Sequence, residues 1–100
     1  MPRLSLEIPH ALAPDEVIRR LEEKFSLARR MYQNQVSDLK EQWSGDTYTF
    51  GFKAVGMKIA GTIQVTASAV KVATDLPLAA MLFKKPIEQR VRQELGTLLA

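Results

Sequence analysis

The 100 residues carry a formal charge of +3 at pH 7, with 46% hydrophobic and 25% charged side chains and no cysteine. That size and balance fit one domain with a single core, exclude disulfides, thiolate metal centres and cysteine nucleophiles, and agree with a cytoplasmic setting. No apolar run approaches the roughly 20 residues of a membrane helix, and the opening MPRLSLEIPH lacks the apolar core of a secretory signal, so a soluble, unexported chain without a membrane span is expected.

Leu4, Leu6 and Ile8 alternate with Arg3, Ser5 and Glu7, which predicts a strand over 3–8 stopped by Pro9. Pro14 opens a helix, with Asp15 and Glu16 suited to its positive end. The stripe Val17, Leu21, Phe25, Ala28, Tyr32, Val36 and Leu39, spaced by three and four, extends that helix over 14–39. Trp43-Ser44-Gly45-Asp46 breaks the period and introduces strands over 46–55, 57–67 and 69–75. Val55 argues against a type I′ turn between the first two of these, since a β-branched residue resists positive φ, and favours a bulged turn with Gly56 left-handed. Beyond Asp75-Leu76-Pro77 a helical period runs over 78–99, with a break near Pro86.

The expected fold is therefore α+β, a single domain of order β-α-β-β-β-α, with a four-stranded antiparallel sheet carrying both helices on one face. The other sheet face is open and made of small polar side chains and lysines. Basic residues are unevenly placed: from Lys53 to Arg92 seven stand against two acids, whereas residues 1–52 hold seven against eight. Parity across the strands sets Phe50, Gly61 and Thr74 in one row of the inner face. Glycine weakens a strand, so the space at Gly61 is expected to be filled by the Phe50 ring or the first helix.

Several stretches together resemble one family. His10-Ala11-Leu12, Trp43 to Asp46, the run GMKIAGTIQV from Gly56 to Val65, Asp75-Leu76-Pro77, Phe83 and Ile87-Glu88 before a leucine-rich end are similar to the polyhydroxyalkanoic acid system proteins. The resemblance spans nearly the whole chain. It implies an accessory or granule-associated role in polyhydroxyalkanoate storage, with the storage-granule surface or granule proteins as partners, and brings no catalytic residues.

The residues themselves favour binding over catalysis. His10 is the single histidine, so neither a histidine-based metal site nor a catalytic triad forms within one chain; a role in fixing the strand-to-helix turn is expected of it. Asp15, Glu16, Glu22 and Glu23 lie among Arg19, Arg20 and Lys24 on a helix exterior, which reads as an ion-paired surface. The glycines of GFKAVGMKIAG sit in strands, not before a helix, so no phosphate cradle and no cofactor is expected.

Three binding modes remain. A cavity between helices and sheet, lined by Phe25, Phe50, Ile59, Gly61, Thr74 and Phe83, would suit a small apolar ligand. The open face, with Lys53, Lys58, Thr62, Gln64 and Lys71, would suit a partner or a second copy of the chain. Weak nucleic-acid binding is the third and least favoured, because Tyr48, Phe50 and Phe52 point to the core and leave no stacking platform outside.

Overall fold

In the structure, a computed structural model describing residues 3–100, the first strand β1 (Arg3–Pro9) buries Leu4, Leu6 and Ile8 and exposes the residues between them. Its partner is the last strand, β5 (Ala69–Asp75), antiparallel, with Leu4 opposite Thr74, Leu6 opposite Val72 and Ile8 opposite Val70. Between them in sequence come α1 (Pro14–Tyr32), β2 (Val36–Ser44), β3 (Thr47–Ala54) and β4 (Met57–Val65); a 3-10 helix (Leu78–Phe83) and α2 (Lys84–Leu99) close the chain. The strands form one antiparallel sheet of order β1-β5-β4-β3-β2.

The sheet thus has five strands where the sequence predicts four, and α1 ends at Tyr32 instead of running to residue 39. The physical reason is a bulge. Ser37 opposes Lys53 and Lys40 opposes Gly51, so Asp38 and Leu39 together face Phe52. Asp38 takes the left-handed conformation, φ 53°, which aspartate tolerates better than most residues. The extra residue makes the inward positions of β2 run Val36, Leu39, Glu41 and Trp43. Their first spacing of three continues the helical phase of Phe25, Ala28 and Tyr32 although the backbone has already turned.

The β3–β4 connection also departs from expectation. Ala54 pairs with Met57, leaving a two-residue turn in which Val55 (φ 51°) and Gly56 (φ 75°) are both left-handed, the signs of a type I′ turn. At the C-terminal joint, Pro86 is accommodated in the first turn of α2, where its missing N–H costs nothing, and the change of helix type falls at Phe83 and Lys84.

Val17 and Leu21 of α1 are fully buried and meet Ile63, Val65, Val70 and Val72 of the sheet, with Leu95 and Leu99 of α2 completing one cluster. Full burial of each such side chain stabilises by roughly 1.5–3 kcal/mol. Both helices lie on this face. The cluster runs along β1, β5 and β4, from Leu4, Leu76 and Ala80 at one end to Val65, Val70 and Leu99 at the end where α1 begins and α2 finishes. That second end is fastened by Arg20 donating to the carbonyl oxygen of Leu98 (2.8 Å) and by the Lys24–Glu94 ion pair (2.5 Å). His10 ties β1 to the same end: its Nδ1 accepts from the Leu12 amide (3.1 Å) and its Nε2 lies 2.9 Å from the Thr66 carbonyl oxygen, as expected of a residue fixing this turn.

Candidate functional site

With the core drawn to the β1–β5–β4 side of the sheet, the second half of α1 stands over β2 and β3 without α2 to fill the space. What remains there is an apolar cavity of about 610 Å³, within the range of small-molecule sites. Phe25, Ala28 and Tyr32 line it from α1, Val36 and Leu39 from β2, Phe50 and Phe52 from β3, and Ile63 from β4. The aromatic rings build its floor in order along β3. Phe25 stacks on Tyr48 with centroids 4.4 Å apart; Tyr48 and Phe50 lie at 5.8 Å, and Phe50 and Phe52 at 6.3 Å. Such pairs add about 0.5–1.5 kcal/mol each beyond area burial.

One wall is polar. Arg29 on α1 donates to both carboxylate oxygens of Glu41 on β2, at 2.7 and 2.8 Å, and the Tyr48 hydroxyl donates to the same carboxylate. Burial, and then the adjacent Glu41 charge, push the Tyr48 phenol up, so it stays protonated as a donor. Glu41 in turn raises Arg29. Next to this group the Trp43 indole N–H donates to Glu22, and its ring lies 5.2 Å from Tyr48. The tight β2–β3 turn makes this possible: Ser44 pairs with Thr47, which sets Trp43 opposite Tyr48 and Glu41 opposite Phe50 on the inner face, while the bulge at Asp38 brings Val36 onto the same face.

Of the six residues predicted to surround a cavity, Phe25 and Phe50 line this one. Thr74 is buried opposite Gly61, Ile59 opposes Phe52, and Phe83 lies on the 3-10 helix, 58% exposed. The row Phe50–Gly61–Thr74 is formed as parity requires. A Cβ on Gly61 would come within 2.9 Å of Thr74 Cα and Oγ1, and closer still to the Ala73 carbonyl oxygen. The space at Gly61 is thus taken by the backbone and side chain of β5, instead of the Phe50 ring or α1.

Lys53, Lys58, Thr62, Gln64 and Lys71 all fall on the outer sheet face. Lys53 stands opposite Lys58 at one end and Gln64 opposite Lys71 at the other, with Thr62 between them, flanked by Thr49 and Ala73. Arg29, Glu41 and Tyr48 were not singled out in the sequence; an acid, a base and a phenol on what reads as helix, loop and strand carry no spacing signal that links them.

Fold and site together define a small α+β domain with an open apolar cavity and a hydrogen-bonded polar wall. The chain belongs to the family described as "Putative polyhydroxyalkanoic acid system protein", which matches residues 4–99. No curated protein matches it. Among solved structures it is similar to the crystal structure of TTHA0849 from Thermus thermophilus, at 15% identity and a TM-score of 0.42, covering 98% of this chain and 92% of that one.

Proposed function

We infer that the protein is a non-enzymatic, granule-associated accessory of polyhydroxyalkanoate metabolism in the cytoplasm, and that it acts by holding an apolar chain with a polar end, of the hydroxyacyl kind, in the cavity between α1 and β2–β3. The observation that carries this reading is the pairing of an aromatic and aliphatic lining with one polar wall, Arg29–Glu41–Tyr48. A tail would lie along Phe50 and Phe52, while its carbonyl would accept from the Arg29 N–H groups not engaged by Glu41 and its hydroxyl would donate to the Tyr48 oxygen, whose own proton goes to Glu41. Membership of the family supplies the metabolic context.

Binding is favoured over catalysis because the polar groups on the wall satisfy one another. Tyr48 is held protonated, and Arg29 and Glu41 are paired, an arrangement suited to orienting a ligand and ill suited to proton abstraction. Trp43 is the single tryptophan and adjoins Tyr48, so its fluorescence reports on the site. Titration with a medium-chain 3-hydroxy acid should give a saturable change, which Ala28→Phe, placing a ring in the cavity, should abolish while circular dichroism shows the fold retained. An unaltered titration in that variant would refute the assignment of the site.

A further inference from the structure

The large exposed apolar side chains are gathered at one end of the molecule. Leu27, Met31, Tyr32 and Leu39 close α1 and begin β2, Val55 tips the β3–β4 turn, and Leu78, Met81, Leu82 and Phe83 belong to the 3-10 helix. Strand directions bring these segments together: Val36 pairs with Ala54, Ala54 with Met57, and Asp75, just before the 3-10 helix, with Ala60. Val55, Leu82 and Leu78 are 90%, 88% and 79% exposed. Ala80 anchors the 3-10 helix in the core, which leaves its larger neighbours outside. Leu27 and Met31 continue the α1 stripe on which Arg20 and Lys24 reach α2, yet they stay exposed, so the helix pair opens toward this end.

The same segments are basic. Residues 27–39, 53–58 and 78–88 hold Arg29, Arg30, Lys53, Lys58, Lys84 and Lys85 against Asp38 and Glu88. Among the described residues, Arg30, Lys58, Lys84 and Lys85 have no carboxylate within 4.0 Å. Lys53 and Lys58 stand directly opposite each other, a like-charge pair in which Asp38 lies 3.4 Å from Lys53 and Lys58 is left without a counter-charge. Asp15, Glu16, Glu22 and Glu23 lie in the first half of α1, which starts at the opposite end.

We propose that this end is a docking surface for an anionic lipid surface, with Val55, Leu78, Leu82 and Phe83 entering the headgroup boundary and Lys58, Lys84 and Lys85 meeting lipid phosphates. Apolar tips flanked by lysines match an interface that is apolar inside and negative outside. A bare polyester would leave the lysines without counter-charge, and a nucleic acid would leave the leucines in water. Tyr32, Val36 and Leu39 belong to this end and to the cavity lining alike, so a docked molecule presents its cavity to the surface. The inference deepens the granule-associated role and rests on it for biological setting.

The test uses the full chain and flotation with vesicles of phosphatidylcholine, with and without a third phosphatidylglycerol, in the absence of polyester. Binding is expected to the anionic vesicles, reduced about fivefold by each of Lys84→Gln and Lys85→Gln and about tenfold by Leu82→Ser, with circular dichroism confirming that each variant folds. Ala28→Phe should bind vesicles as the unaltered chain does, which separates failure of docking from failure of the cavity. Equal binding to neutral vesicles, indifference to these substitutions, or capture by polyester particles but not by anionic vesicles would overturn the proposal.

Discussion

Gly61→Ala is the perturbation whose size follows most directly from the packing. The added methyl would stand 2.9 Å from Thr74 Cα and Oγ1, and nearer to the Ala73 carbonyl oxygen. Two of these three neighbours are backbone atoms of a central strand, hydrogen-bonded on both sides, so relief requires β4 and β5 to part. Overpacking of this kind costs about 1–3 kcal/mol, and in a domain of this size each kcal/mol moves Tm by roughly 4–8 °C. A fall in Tm of about 5–20 °C is therefore expected. Gly51 provides the control: it is also a strand glycine, but a Cβ there meets Ile59 O at 3.8 Å and Ala60 Cβ at 3.9 Å, ordinary contact. Gly51→Ala should leave Tm unchanged or raise it slightly, because alanine loses less backbone entropy on folding. Thermal melts of the two variants by circular dichroism decide the matter, and equal Tm values would refute the claim that β5 fills the space at Gly61.

Val55→Asn should raise stability by about 1 kcal/mol, since a left-handed β-branched residue is strained and asparagine is at home in such a turn; a lower Tm would contradict the turn geometry. The same variant should float less well with anionic vesicles, so that stability and docking move in opposite directions. Acid should weaken the helix pairing. Glu16 is lowered from 4.5 to about 2 by hydrogen bonds first from Arg19 and then from Arg20, and Glu94 is lowered chiefly by Lys24. Both folded-state values lie below the unfolded ones, so the stability they contribute is complete above about pH 4.5 and is lost as pH falls through the depressed range. Glu94→Gln should flatten that part of a Tm-against-pH curve, and an unchanged slope would contradict the role of the Lys24–Glu94 pair. Tyr48→Phe removes a donor to Glu41 without altering the aromatic stack; ligand affinity, read by Trp43 fluorescence, should fall about five- to tenfold through loss of one hydrogen bond.

The alternation of β1 and of β3 to β5, and the core stripe Val17–Leu21 in α1, were legible because each residue's side followed from a period of two or of 3.6. Their two-layer arrangement followed in turn. β2 was hidden because the bulge at Asp38 resets the strand period just where Val36 and Leu39 would continue a helix. The turn at Val55 was hidden because sequence preference argues against the conformation that a short connection imposes there. Phe25 and Phe50 could be placed near a cavity since both are large inward aromatics next to a small residue. Arg29, Glu41 and Tyr48 could not, since their convergence depends on β2 pairing with β3, and the sequence reads β2 as the end of a helix and a loop. The missed strand thus accounts for the missed polar wall as well.

The central claim, that the cavity holds an apolar chain against the Arg29–Glu41–Tyr48 wall, is tested most directly by NMR chemical-shift mapping of the full chain titrated with a medium-chain 3-hydroxy acid. The account predicts saturable shifts confined to Phe25, Ala28, Leu39, Phe50 and the Arg29 guanidinium. Shifts confined to the outer sheet face, or none at ligand concentrations well above those of the protein, would contradict it.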